Sequence, residues 1–227
     1  MTNTHWNAEV YDRIGTPMRG WAQAVIDDLS LKGDETVLDA GCGSGSVTFD
    51  LLERLPNGKV YALDSSQEMI EQMQQKIADT GETRVIAMTA DLTNFELPEP
   101  VDVVFSNAVF HWIPDDDALF SCLLRATKPG GSMRVQCGGG DIFAKLGPAW
   151  RAAWAQKPFA EHLAGYTDGK KYRSPEEARA SLERAGWTAV RTWAFDAPVP
   201  FESDEDAAQY LRTIILRDHV EIGRAHV

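Results

Sequence analysis

The chain is poor in cysteine, in clustered histidine and in positive charge, and each shortage removes a class of function. Its three cysteines, Cys42, Cys122 and Cys137, are odd in number, lie far apart and form no C-x-x-C pair. Neither a disulfide framework nor a zinc site is therefore expected, and all three should be reduced thiols. The five histidines, His5, His111, His162, His219 and His226, show no H-x-x-x-H pair and no carboxylate cluster at ligand spacing, so no metal is expected. With 22 Lys and Arg against 34 Asp and Glu the net charge is −12, a field that repels phosphate backbones and anionic lipid surfaces. A nucleic-acid or membrane partner is thus not expected. No stretch approaches the roughly 20 apolar residues of a membrane span, and the start MTNTHWNAEV lacks the basic patch and apolar run of a secretory signal. A cytoplasmic protein, monomer or homodimer, is the expectation.

What is present is ordinary globular material: 44% hydrophobic and 25% charged residues in 227, enough for one domain over 1–227 and not for two enzyme-sized units. Short β-branched apolar runs recur at 36–40, 59–63, 84–88, 101–106, 132–137 and 188–195, with helical stretches at 17–29, 46–55, 66–79, 117–127, 175–185 and 207–219. That alternation argues for a doubly wound, Rossmann-like α/β fold, a mostly parallel sheet with helices on both faces. The clearest helix is 175–185, where Ser174 can cap, Pro175 takes the first position and Gly186 stops it. Between 138 and 173 the pattern breaks into an aromatic-rich insertion after the fifth strand, of the kind that covers a pocket. The expected parts are an N-terminal helical arm (1–35), a cofactor-binding core (36–137), a cap-like insertion (138–173), a C-terminal part (174–220) and a tail (221–227).

The strongest signal is VLDAGCGSGSVTFDL, in which a strand runs into Asp39-Ala40-Gly41-Cys42-Gly43-Ser44-Gly45 and then a helix. Glycines there bring backbone N–H groups close to a ligand, and the helix offers its positive end. A dinucleotide fingerprint wants G-x-G-x-x-G, but Ser46 stands where the third glycine would fall, and Asp39 precedes the first. An acid in that place suits a ligand bearing an ammonium group, such as the methionyl end of S-adenosylmethionine, better than a pyrophosphate. Asp64, at the end of the second strand and 19 residues after Gly45, can accept both ribose hydroxyls of an adenosine.

With these residues in view the sequence resembles the class I S-adenosylmethionine-dependent methyltransferases over most of its length. The Asp39–Gly45 loop looks like their cofactor loop. Ala62-Leu63-Asp64-Ser65-Ser66 with Met69 resembles the ribose motif, and Ala90-Asp91-Leu92 the adenine motif. The segment from Phe105 to Asp115, FSNAVFHWIPD, is similar to the trans-aconitate methyltransferase-like branch, and Pro129-Gly130-Gly131 before the fifth strand completes the set. The resemblance implies S-adenosylmethionine as cofactor and a small-molecule acceptor, with a carboxylate oxygen as the candidate atom methylated. It implies that Asp91 contacts the adenine amino group, that Leu92 meets the ring, and that backbone near Ser106 and Asn107 faces the methionyl part. Local roles remain open for three of them: Asp91 capping its own turn, Asp64 capping the next helix, and Cys42 as a small filler.

Methyl transfer from a sulfonium needs alignment above all. A hydroxyl, amine or carbon acceptor also needs a base, whereas a carboxylate is already nucleophilic at neutral pH. His111, just past a strand end, is the catalytic candidate, as base or as a group that orients the acceptor, with a packing role as the alternative. Tyr11, Trp112, Trp150 and Trp154 are candidate pocket walls, Trp150 and Trp154 equally a helix face. Arg151, Lys170, Lys171 and Arg173 are candidate cations for an anionic substrate, and His5-Trp6-Asn7 a candidate cover over the cofactor. Rival expectations are a cofactor-binding protein without turnover and, disfavoured by Asp39 and Ser46, an NAD-dependent oxidoreductase.

The resemblance also implies a final antiparallel strand between the fifth and sixth, and no such run follows Asp206. The last seven residues, EIGRAHV, break the preceding helical pattern without a cap. They match the translation of GAG-ATC-GGA-AGA-GCA-CAC-GTC, a string that resembles a common sequencing adaptor. Residues 221–227 are expected to be read-through, and a second genomic read across codon 221 should show different codons there; the same seven codons in the chromosome would defeat this expectation.

Overall fold

The computed structural model describes residues 16–142, 146–157, 159–162 and 169–212. Five strands, β1 (Thr36–Ala40), β2 (Lys59–Asp64), β3 (Val85–Thr89), β4 (Val101–Asn107) and β5 (Thr127–Gln136), form one sheet in the order β3-β2-β1-β4-β5. Every ladder is parallel. The order reverses between β1 and β4, so the loops leaving these two neighbours diverge to opposite faces and open a crevice at their carboxyl ends. That crevice is where the sequence motifs meet.

Eight helices accompany the sheet among the described residues: α1 (Thr16–Asp27), α2 (Ser46–Leu52), α3 (Gln67–Thr80), α4 (Asp116–Ala126), α5 (Gly147–Trp154), α6 (Phe159–His162), α7 (Pro175–Arg184) and α8 (Asp204–Tyr210). Period-two side-chain alternation in the strands splits the core in two. Val37, Val60, Ala62, Val103 and Phe105 pack with Ala22 and Ile26 of α1, Leu51 of α2, and Ile70 and Met73 of α3. Leu38, Ala40, Tyr61, Leu63 and Val104 pack with Leu119, Phe120 and Leu123 of α4, with Leu182 of α7 and Trp187 alongside. Helices thus cover both faces, and all five residues of β1 are buried.

Local chemistry sets the helix ends. The Ser66 hydroxyl accepts from the Met69 N–H at 3.3 Å to start α3. Asp115 accepts from the Ala118 N–H at 3.0 Å to start α4. Ser174 and Glu177 form a reciprocal capping box on α7 with Pro175 in its first turn.

Three expectations need correction. Residues 188–195 form no strand: their composition suits one, but a strand exists only through a ladder partner, and the described residues supply no antiparallel neighbour. The segment is tied down instead by Trp187 Nε1 donating to the Phe120 carbonyl at 3.0 Å and Thr192 Oγ1 donating to the Pro175 carbonyl at 2.8 Å. It leaves Trp193 and Phe195 exposed at 67% and 58%. Secondly, the fifth strand begins at Thr127, because Val101 pairs with Thr127 and Val103 with Ser132; Pro129-Gly130-Gly131 is an excursion inside the ladder, not a turn before it. Thirdly, the helix expected at 207–219 starts earlier, at Asp204, where the Ser203 hydroxyl accepts from the Asp206 N–H at 3.1 Å. Residues beyond 212, including 221–227, and the arm before residue 16 lie outside the described residues.

Phe105 is 1% exposed at the centre of the first cluster. Phe105→Ala should lower the unfolding free energy by about 3–5 kcal/mol, read as a fall in the urea midpoint with an unchanged slope.

Candidate functional site

The site grows from the end of β1. Parallel register sets Asp39 opposite Ala62 on one side and Phe105 on the other, so its side chain stands in the middle of the sheet, 2% exposed. Its hydrogen-bonding partner is a hydroxyl, Thr48 Oγ1 of α2, which donates to Oδ2 at 2.7 Å. Burial pushes the Asp39 carboxyl up to about 7; the Thr48 hydroxyl opposes that and the charge of nearby Asp64 adds to it. Thr48 carried no signal in the motif except its spacing, one turn into the helix that the glycine loop opens.

Between Asp39 and α2 the chain makes three left-handed steps, at Gly41, Gly43 and Gly45. Both Gly41 and Gly45 are also crowded: a Cβ on Gly41 would lie 2.3 Å from Val109 Cγ2, and one on Gly45 2.4 Å from Met73 Sδ, so a side chain at either place would have to displace its neighbour. The loop is held down by the Leu63 carbonyl, which accepts from the Gly41 and Cys42 N–H groups at 2.8 and 2.9 Å. Cys42 is buried and its thiol is pushed well up by burial and by Asp39 and Asp64, so it is a filler in this loop and not a nucleophile.

Asp64 closes the second side. Its Oδ2 accepts from the Gly43 N–H and its Oδ1 from the Ser66 N–H, both at 2.9 Å, so one carboxylate fixes the glycine loop and the entry to α3 together. Burial raises its pKa against those two N–H groups. Ser65 beside it is exposed and Met69 is buried in the first turn of α3. Ala90, just past β3, donates its N–H to the Asp64 carbonyl at 2.9 Å. Asp91 is exposed and its Oδ1 accepts from both the backbone N–H and the hydroxyl of Thr93, at 2.8 and 2.7 Å; it caps its own turn. Leu92 is buried in the second cluster.

The third side follows β4. Ser106 is fully buried and its hydroxyl donates to the Ala40 carbonyl at 2.6 Å, tying the ends of β1 and β4 together. Asn107 ends the strand, and Ala108 takes a left-handed φ of 60°, which drops Val109 over Gly41. His111 and Trp112 lie in the short 3-10 turn Phe110–Trp112. The His111 ring stacks on Tyr172, centroids 5.5 Å apart, and His111 Nδ1 accepts from the Gly138 N–H at 3.3 Å. A neutral imidazole that accepts at Nδ1 carries its proton on Nε2 and is a donor there. Trp112 lies under the Lys170 ammonium, 4.6 Å from its ring centroid.

The remaining candidates divide. Trp150 and Trp154 stack on each other along α5 at 6.2 Å. Arg173, expected as a cation for an anionic substrate, is instead buried against Asp116, and Lys171 pairs with the same carboxylate at 2.9 Å; both are consumed by a structural ion pair. Arg151 is exposed on α5. Tyr11 and His5-Trp6-Asn7 lie outside the described residues. Tyr172 belongs to the aromatic-rich insertion, but neither its stacking on His111 nor the Asp116–Arg173 pair is legible in the sequence, because partners 57 or more positions apart leave no local spacing. Among the described residues no group of His, Cys, Asp and Glu could hold a metal.

The residues fit S-adenosylmethionine. Asp39, a buried carboxylate with no cationic hydrogen-bonding partner among the described residues, precedes the glycine loop, a second carboxylate lies one strand away, and a Cβ on Gly43 would meet nothing within 4 Å, so the loop can be approached closely there.

Residues 37–131 match the family of the methyltransferase domain. Trans-aconitate 2-methyltransferase from Azoarcus sp. (strain BH72) is 35% identical over 131 residues, 58% of this chain and 50% of that protein. The enzyme of the same name from Escherichia coli O1:K1 is 30% identical over 131 residues, with the same shares. The chain therefore spans about half the length of the curated relatives it matches. Among solved structures, a cyclopropane synthase from Mycobacterium tuberculosis superposes with a TM-score of 0.60 at 19% identity, covering 76% of this chain and 61% of that one. A phosphoethanolamine N-methyltransferase from Haemonchus contortus superposes with a TM-score of 0.64 at 20% identity, covering 94% and 46%; at such identities the likeness is one of fold. Fold, loop chemistry and the match over residues 37–131 make this stretch similar to the methyltransferase domain of the class I, S-adenosylmethionine-dependent kind.

Proposed function

We propose that the chain binds S-adenosylmethionine along the edge from Asp39 to Leu92 and transfers its methyl group to a carboxylate oxygen of a small organic acid. The observation that carries the reading is a buried carboxylate, Asp39, held by Thr48, and a half-buried one, Asp64, bonded to the Gly43 N–H, which flank one glycine loop at the sheet's switch point. The relatives named trans-aconitate 2-methyltransferases support the acceptor class. Residues 36–137 form the cofactor half in this reading and 138–173 the cap.

When bound, the cofactor supplies an electrophilic methyl carbon on a sulfonium. The protein's part is alignment, worth several kcal/mol. Asp39 balances the ammonium and Asp64 accepts from the ribose hydroxyls. Backbone of Ala40, Gly41, Cys42, Gly43 and Gly45, with that near Ser106 and Asn107, lines the methionyl part. Ser65 and Met69 flank the ribose, and Ala90, Asp91 and Leu92 border the adenine. On the acceptor side His111 presents its Nε2–H to a carboxylate, and Lys170 adds positive charge beside Trp112; Trp150 and Trp154 complete the walls. A carboxylate is ionised at neutral pH, so no base is required and His111 acts as a donor. The net charge of −12 supports a protein free of nucleic acid, and no helix among the described residues is long and apolar enough to cross a membrane. A cytoplasmic monomer or homodimer completes the proposal.

Incubation with S-adenosylmethionine and trans-aconitate should yield a singly methylated ester by mass spectrometry; cofactor binding without transfer to any carboxylate tested would replace the enzyme reading with that of a binding protein. Asp64→Ala should weaken S-adenosylhomocysteine binding by about 1.5–3 kcal/mol in calorimetry. Proton linkage provides a third check. A carboxyl titrating near 7 in the free protein is ionised by a bound cation, so binding releases a proton. Affinity for S-adenosylmethionine should therefore rise as pH goes from about 5.5 to about 7 and then level off, and Asp39→Asn should abolish the rise.

A further inference from the structure

We propose that Arg173 is a positioning residue: a buried strut that fixes Tyr172 and His111 and so sets the geometry of the acceptor side of the site. The proposal rests on the reading above only in taking the His111 side as the acceptor side.

Arg173 and Asp116 are 5% and 4% exposed in their side chains. Asp116 Oδ1 accepts from Arg173 Nε at 2.7 Å and from Arg173 Nη2, while Oδ2 accepts from Ser181 Oγ at 2.6 Å. The rest of the guanidinium is spent on backbone. Nη1 donates to the Phe110 carbonyl at 2.9 Å and Nη2 to the Ile113 carbonyl at 2.6 Å. Those two carbonyls bracket the turn that holds His111 and Trp112. One side chain thus binds both ends of that turn, the start of α4 and, through Asp116, the helix α7.

The same segment is locked from a second direction. The Arg173 carbonyl accepts from the Gly140 N–H, and the Lys171 N–H donates to the His111 carbonyl, each at 2.8 Å. Glycines make this approach possible: a Cβ on Gly139 would stand 2.7 Å from the Arg173 carbonyl oxygen, and one on Gly138 3.0 Å from Tyr172 Cε1. The run Gly138-Gly139-Gly140, which no cofactor motif explains, is the slot in which Tyr172 and Arg173 lie. With the Arg173 fork holding the backbone of its turn and the Gly138 N–H donating to Nδ1, the His111 ring is stacked on Tyr172 and has its tautomer set. A planar fork with five donors suits this task where lysine would not.

Removing Arg173 alone would leave a buried, unpaired Asp116 and threaten folding. The test therefore uses Arg173→Met with Asp116→Leu, which removes both charges, and separately Gly139→Ala, which keeps every charge but pushes on the Arg173 carbonyl. Three readouts are compared with the parent chain: calorimetric affinity for S-adenosylhomocysteine, KM and kcat for trans-aconitate, and the chemical shift of the His111 ring protons, assigned with His111→Gln, which report stacking on Tyr172. The expected result is an affinity for S-adenosylhomocysteine changed by less than about threefold, a KM raised about tenfold or more, as a misplaced group would cause, and loss of the ring-current shift. Equal losses of cofactor affinity and acceptor KM would overturn the proposal in favour of a general stabilising role, and so would an unmoved His111 signal in both variants. If the parent chain methylates no carboxylate, the acceptor assignment fails, and the His111 signal still decides whether Arg173 positions the ring.

Discussion

Asp39 sits at the carboxyl end of the central strand, buried and hydrogen-bonded to the Thr48 hydroxyl, with no cation bonded to it among the described residues. Desolvation of a lone carboxylate is costly, and here it lifts the group to about 7. A folded protein keeps such a cost where binding recovers it. Around this group the neighbouring elements fall into place: Thr48 reaches back from α2 to hold it, the glycine loop turns through three left-handed residues above it, and Asp64 pins that loop from the next strand. The sheet has to be parallel and fully buried at β1 for the arrangement to exist, since only then do both carboxylates arrive at the same edge.

A second buried carboxylate at the same end of the molecule is treated in the opposite way. Burial pushes Asp116 up, but hydrogen bonds from Arg173, Ser181 and Lys171 outweigh it and hold the group at about 2. Asp116 is therefore ionised and satisfied at any physiological pH, whereas Asp39 is held near its point of ionisation. The contrast separates an acid satisfied by structural partners from one proposed to bind, by what surrounds each. It also explains why Arg173, which looks in the sequence like a cation free to meet an anionic substrate, has no charge to spare.

The parts of the site legible in the sequence are those that local chemistry governs. Asp39, Gly41, Gly43, Gly45 and Asp64 could be recognised because a glycine loop between a strand and a helix has few uses, and because the spacing to the next strand end is set by one helix-length crossover. The capping of α7 by Ser174 and Glu177 was equally plain. The helix boundaries shifted by a few residues, as frayed ends do. What could not be read was anything that depends on which distant segments meet. The run at 188–195 has the composition of a strand and none of its pairing, since strand propensity reflects packing against neighbours more than any intrinsic backbone preference.

By itself, then, the sequence determined the alternation of strands and helices, the two-faced burial and the chemistry of the loop after β1, because each follows from residues within one turn or one crossover of each other. Only the tertiary structure decided that Thr48 would hold Asp39, that Val109 and Met73 would crowd positions 41 and 45, and that His111 Nδ1 would accept from the Gly138 N–H. The same holds for Arg173, whose partners Asp116 and Phe110 lie 57 and 63 positions away. Contacts of that range are fixed by the fold's topology, and a side chain's role at such a contact is set by the groups that burial forces it to satisfy.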